Sequence, residues 1–298
     1  MKPIIALLSQ YGRLGNRLWT YANVLAYGMK HNFSVHNPSF YNDSRFFSGI
    51  NENNILKEVL PIFSRVNDRI SIFDSIKLDN GYLLDLDHVT SDNLCRKYIV
   101  FLHGFYFSAP ECLNQFSTQI RSYFTPKDAI IKQIHSLIYQ ARKQCDILIG
   151  VHVRHGDYKE FCDGIMYYNL EEYVAIMRLL KEQCPHQTVS FIVCSDEYQD
   201  LSSYSDLQIY QGHGGVIQDL YTLAHCDFIV GPNSTFSHWS SFWGKVPLHI
   251  LNYKAEYRYG FKPVYNPQLN TDFQCFNPQS FGRYAKVHVT LDEIFKGN

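Results

Sequence analysis

Four short apolar runs in the second half of the chain constrain its fold most: DILIGVHV (146–153), TVSFIVCS (188–195), DFIVGP (227–232) and PLHILN (247–252). Each is strand-length, and a shorter strand, LQIYQ (207–211), lies among them. Between them come LEEYVAIMRLLKEQ (170–183), VIQDLYTLAHC (216–226) and STFSHWSSFWG (234–244), which carry helical spacing. Strands alternating with helices of these lengths predict a parallel sheet covered by helices on both faces.

The first half opens in the same way. PIIALL (3–8) reads as a strand ending in a glycine-bearing turn, and Asn16 is placed to cap a helix with Leu18, Ala22, Leu25, Ala26 and Met29 on one side. FSVHN (33–37) is then a second strand. Asn, Asp and Ser interrupt the apolar runs of 38–95, so loops and short helices are expected there. KYIVFLHGF (97–105) reads as a strand, and CLNQFSTQIRSYF and AIIKQIHSLIYQARK as helices separated by Pro126. The expectation is an α/β protein of two Rossmann-like parallel-sheet domains facing a central cleft. Residues 1–145 form the first and 146–298 the second, with the C-terminal tail free to pack back on the first. No internal repeat or low-complexity segment is visible.

At 298 residues the chain has room for two such domains, and 46% apolar residues supply their cores. Twenty-seven Lys and Arg against 28 Asp and Glu give a net charge of −1, which argues against broad nucleic-acid binding. An anionic ligand must therefore be held by a few local cations and backbone donors. The 22 Tyr and 21 Phe are read first as core side chains and second as sugar- or base-stacking surfaces. The eight cysteines have neither C-x-x-C nor zinc-type spacing and read as reduced thiols. The first apolar run is too short for a secretory signal, and no stretch approaches the roughly 18 apolar residues of a membrane span. A cytoplasmic protein is expected, with peripheral membrane association left open and oligomeric state unassigned.

Ligands of open α/β sheets gather at the carboxyl ends of strands. His152, Arg154 and Asp157 stand where DILIGVHV runs out, and Arg154 is the natural diphosphate partner because its planar fork binds bidentately and keeps its charge. The plainer alternative is a strand-end ion pair beside a core histidine. In VGPNSTFSHW (230–239), Asn233, Ser234 and Thr235 open a helix whose N-terminus suits a phosphate, or simply cap it. In SQYGRLGNRLW (9–19), Gly12 and Gly15 permit a tight turn, while Arg13 and Asn16 project polar groups. No G-x-G-x-x-G fingerprint or phosphate-binding P-loop occurs.

Taken together, GRLGN, HGFYFSAPECLNQFSTQIRSYF, GVHVRHGDY, SDE and DLYTLAHCDFIVGPNSTFSHWSSFWG resemble, in order, the bacterial α-1,2-fucosyltransferases, over about residues 4–252. The resemblance implies an inverting, metal-independent transferase of GT-B architecture that takes GDP-fucose as donor and a glycan hydroxyl as acceptor, with no cofactor. It assigns the donor β-phosphate to Arg154, with His152 and Asp157 as neighbours. Gly12, Arg13, Asn16, His155, Asp196, Asn233, Ser234 and Thr235 become donor-side residues. His155 stands where the family usually has a second arginine, and a histidine makes no fork contact. For the general base, spacing does not choose among His155, Asp157, Asp196 and Glu197, and the acceptor pocket is expected within 38–95.

Three rival readings stand beside it. Arg154-His155-Gly156 resembles the phosphohistidine site of histidine phosphatases, though that motif closes the first strand of its domain. Asp85-Leu86-Asp87 resembles the metal-binding D-x-D element of GT-A transferases. A non-catalytic sugar-binding module would use surface aromatics.

Overall fold

The computed structural model describes residues 2–8, 11–50, 54–70, 72–79, 82–104, 106–251 and 287–289. The chain divides into two units, Met1–Lys127 with the C-terminal segment that carries the last strand, and Asp128–Phe276.

In the first unit β1 (Ile4–Leu7) leads through α1 (Leu14–His31) to β2 (Ser34–His36), then α2 (Tyr41–Ser44) and α3 (Asn54–Ile70). The chain continues through β3 (Asp74–Lys77), β4 (Tyr82–Asp85), α4 (Ser91–Leu94), β5 (Ile99–His103), β6 (Tyr106–Ser108), α5 (Pro110–Gln115) and α6 (Ser117–Tyr123). The main sheet is four-stranded and parallel, in the order β2-β1-β5-β3. Helix α1 is buried along most of its length, with Leu18, Trp19, Tyr21, Ala22 and Val24 closed to solvent. Tyr21, Phe40, Phe47 and Phe124 pack together, mostly edge to face, with centroids 5.4 to 6.1 Å apart. Much of the aromatic content is thus core.

Two local expectations change. Helix α1 begins at Leu14 with Arg13 as its cap residue, so Asn16 lies inside the first turn and is not the cap. The 54–70 stretch is one 17-residue helix running through Pro61, not loops and short helices. Among the helix positions whose burial is described, Leu60, Ser64 and Asn67 are buried. Two of these three are polar, while Ile62, Phe63 and Val66 are exposed, so the apolar spacing of the helix does not mark its buried positions. Asn67 earns its place by bonding both backbone groups of Phe73, at 3.0 and 2.6 Å.

The second unit runs α7 (Asp128–Arg142), β7 (Ile147–Val153), α8 (Leu170–Glu182), β8 (Val189–Ser195), β9 (Gln208–Gln211), α9 (Val216–Leu223), β10 (Phe228–Pro232), α10 (Thr235–Gly244) and β11 (Leu248–Leu251). Its five strands are parallel, in the order β11-β10-β7-β8-β9. Central β7 is apolar on both faces because helices cover both. Ile149, Val151 and Val153 pack with Tyr173 and Met177 of α8, while Leu148 packs with Leu223 of α9 and Ala141 of α7. Helix α8 starts in a full capping box between Asn169 and Glu172.

The division falls at Lys127 and Asp128, one helix before the residue-145 boundary the sequence suggests. Helix α7 groups with the second sheet, where Arg142 forks onto Asp227, whose carboxylate also accepts the Leu148 amide at 2.8 Å. The final strand, β12 (Val287–Val289), pairs in parallel with β4, which pairs with β6. Residue 252 and the rest of the tail outside β12 lie beyond the described residues, as do Ser9 and Gln10 of the first loop. No helix among the described residues is long and apolar enough to cross a membrane. Cys95, Cys112, Cys145, Cys184, Cys194 and Cys226 are free thiols.

Candidate active site

In the second sheet the chain leaves β7 for β8 and β9 on one side, then crosses to β10 and β11 on the other. The topological switch point is therefore between β7 and β10, where a ligand crevice is expected. The loops after β10, β7 and β8 end side by side, which gathers Asn233, Arg154 and Asp196 from three separate stretches of sequence.

Arg154 is the centre of this group, with a side chain only 12% exposed. Its Nη2 donates to Asp157 Oδ1 at 2.7 Å and its Nη1 lies 3.2 Å from Asp196 Oδ2. The guanidinium carbon sits 5.2 Å from the centroid of Tyr158, a cation–π contact. Arg154 Nε is shielded from water and has no hydrogen-bond partner among the described residues. Asp196 also accepts the His155 amide at 2.9 Å, so it fixes both the side chain and the backbone that follows. Asp157 is half exposed, whereas the guanidinium it meets is mostly shielded.

Tyr158, which sequence reading passed over, links the two loops. Its ring lies under Arg154 and its hydroxyl donates to the Asn233 carbonyl at 2.8 Å. Ser234 is the cap residue of α10 and accepts the Phe236 amide at 3.3 Å, with Thr235 opening the helix. The buried Asn233 Oδ1 has no hydrogen-bond partner among the described residues.

His152 lies where the plainer alternative put it, as a core histidine, while the His155 side chain departs from the donor-side expectation. His152 is 3% exposed, stacks on Phe236 at 4.9 Å and sits against Gly231, where a Cβ would come within 2.8 Å of its own Cβ. Burial first, then the nearby Arg154 charge, pulls its pKa down to about 3. It is a packing residue and a poor base. The His155 side chain turns inward, 6% exposed: Nε2 donates to the Tyr168 carbonyl at 2.9 Å, and Nδ1 accepts from Gln199 Nε2 at 3.2 Å. With both ring nitrogens engaged inside the fold, it neither replaces a phosphate-binding arginine nor offers a nucleophile for a phosphohistidine. Glu197 pairs with Lys159 at 3.4 Å on the surface.

Asp219, another residue the sequence reading missed, is 4% exposed in the first turn of α9. It holds the loop after β9 by accepting the Gly214 amide at 3.2 Å, and it also takes the His213 amide and the Cys194 thiol. The glycine cluster QGHGG (211–215) was the available signal. Desolvation raises its pKa from 3.8 to about 6, against the lowering pull of those hydrogen bonds. A raised folded-state pKa means the native state binds the extra proton, so stability falls as pH rises from about 4 to about 6. The loss is on the order of 3 kcal/mol. Denaturant melts should show this decline in wild type and its absence in Asp219→Asn.

In the first unit Gly12 has φ +65°, and a Cβ there would lie 2.3 Å from Asn16 Nδ2, so the turn favours glycine. Gly12 and Arg13 are exposed and Asn16 is half-buried. The D-x-D residues serve as caps: Asp87 accepts the amides of Glu111 and Cys112 at 2.6 and 3.2 Å, and Asp85 accepts the Asp87 amide at 3.1 Å. Among the described residues no group of three His, Cys, Asp or Glu is arranged to hold a metal ion.

Fold and site define a parallel-sheet α/β protein with an arginine-centred polar cluster at a strand switch point. The model of glycosyl transferase family 11 matches residues 13–259, and the chain belongs to that family. Among solved structures, it is similar to an Arabidopsis thaliana FUT1 variant in complex with GDP, at 13% identity and a TM-score of 0.56, over 84% of this chain and 71% of that one. Fucosyltransferase NodZ from Bradyrhizobium aligns with a TM-score of 0.55 at 16% identity, over 83% and 94%. POFUT1 in complex with GDP-fucose aligns with a TM-score of 0.51 at 13% identity, over 81% and 94%. The shared fold is GT-B-like. No curated relative matches the chain significantly.

Proposed function

We propose that this family 11 glycosyltransferase moves L-fucose from GDP-fucose to a glycan hydroxyl, with inversion and without a metal, forming an α-1,2 linkage. Arg154 carries the reading: a guanidinium fixed at the β7–β10 switch point by Asp196 and Tyr158, with the half-exposed Asp157 carboxylate beside it. The linkage rests on the sequence resemblance. The donor is supported in addition by the similarity to folds solved with GDP or GDP-fucose.

In this reading the second unit binds the nucleotide sugar. Arg154 meets the β-phosphate, and the α10 N-terminus at Asn233, Ser234 and Thr235 adds backbone donors as charge develops on departing GDP. The sequence resemblance, and that alone, makes the first unit the acceptor side and Gly12, Arg13 and Asn16 donor-side residues. Free thiols support a cytoplasmic setting.

A donor screen tests the proposal. Purified protein with a glycan acceptor should release GDP from GDP-fucose and not UDP from UDP-sugars, and NMR of the product should show the anomeric configuration opposite to the donor's. Turnover of a UDP-sugar alone sinks it. Activity should also survive EDTA, because a guanidinium and helix amides carry the leaving-group charge, while both Asp87 oxygens are engaged in capping α5. Loss of turnover on chelation, restored by manganese, would move the assignment to Asp85 and Asp87.

A further inference from the structure

We propose that the second unit carries a site for one divalent ion of the zinc or nickel class, held by His135 of α7 and His225 just beyond α9. The two helices lie side by side on one face of the sheet, where Leu137, Ile138 and Ala141 of α7 share an apolar cluster with Leu223 and Cys226. His135 is exposed and His225 is half-buried. Their ring centres are 5.3 Å apart, with the ring planes at 75°. With metal–nitrogen bonds of about 2.1 Å, two imidazoles on one tetrahedral ion hold their ring centres roughly 5 Å apart. The observed spacing matches that of two ligands of one ion.

The hydrogen bonding of His225 points the same way. Its Nδ1 lies 2.7 Å from the Tyr221 carbonyl, which can only accept, so the proton sits on Nδ1 and Nε2 keeps its lone pair. Such an outer bond is what fixes the tautomer of a metal-binding histidine. Burial pulls the His225 pKa below its usual value; the bond to Tyr221 opposes this, and the nearby His135 adds to it. The ring is thus neutral near pH 7, the form that binds a metal. Two imidazoles, with water in the remaining positions, suit zinc or nickel and not magnesium or calcium, which take oxygen donors. His225 comes just before β10, at the amino ends of the strands, whereas Arg154 stands where β7 ends. The ion is a clip between α7 and α9, apart from the transfer chemistry.

Zinc chloride added to the full chain, freed of metal with EDTA and dialysed, tests the site. The thermal unfolding midpoint should rise by about 3–6 °C at zinc tenfold above its Kd. His135→Ala, an exposed position where truncation leaves the fold intact, should weaken zinc binding at least tenfold by calorimetry. Nickel should quench tryptophan fluorescence in wild type, since Trp243 lies 5.9 Å from His225, and lose that effect in His135→Ala. Magnesium should leave the midpoint unchanged. No midpoint rise with zinc overturns the site. An equal rise in His135→Ala also overturns it, because the ion would then sit on other side chains, and so does an equal rise with magnesium. Sugar transfer should be the same with and without zinc, so this site and the transferase reading fail independently.

Discussion

Arg154→Ala should abolish sugar transfer and weaken GDP binding by roughly a hundredfold or more, the effect of removing a charge-assisted fork where phosphate charge accumulates. The fold should survive, since Asp196 keeps the His155 amide as a partner and Asp157 is open to water. Arg154→Lys sharpens the test. It keeps the charge and loses the fork, so it should recover only part of the GDP affinity. Calorimetry on folded Arg154→Ala showing near-normal GDP affinity would refute the assignment.

His155→Arg should destabilise the protein by about 2–4 kcal/mol, and it should not preserve or improve transfer as the family pattern suggests. The imidazole sits between the Tyr168 carbonyl and Gln199 with 6% exposure, close to the Tyr167 ring at 5.1 Å. A longer, permanently charged side chain must either disrupt that packing or swing out, leaving the Tyr168 carbonyl without its donor. Thermal melts measure the loss, and phosphomonoester turnover in wild type should be absent. A mutant of wild-type stability with undiminished transfer would show that this side chain can reach the donor after all.

The second sheet was legible because its central strands are buried on both faces and so read as unbroken apolar runs. Arg154, Asp157 and Asp196 were legible for a related reason: strand ends in a parallel sheet identify where polar chemistry collects. What sequence hid was direction. His152 and His155 flank Arg154 in the chain, yet both rings turn into the core, and nothing in residue order distinguishes a side chain folded inward from one presented to a ligand. Tyr158 was hidden because its two partners, Arg154 and Asn233, come from different strand ends and meet only through sheet order. Helix α3 carries helical apolar spacing, but Pro61 in its middle and the polar Ser64, Asn67 and Asp68 break the run into pieces that read as separate short segments.

The pairing of Tyr82 with Val287 has a kinetic meaning. During vectorial synthesis, Asp128–Phe276 emerges as one uninterrupted stretch and can collapse on its own local contacts. The first unit cannot close its small sheet until Val287–Val289 has left the ribosome, after all of the second unit. Until then β4 has β6 on one side and an open edge on the other, the kind of edge that recruits strands from other molecules. Truncation before Val287 would make that transient exposure permanent, so a shortened chain should fail first through aggregation in the half that was made earliest.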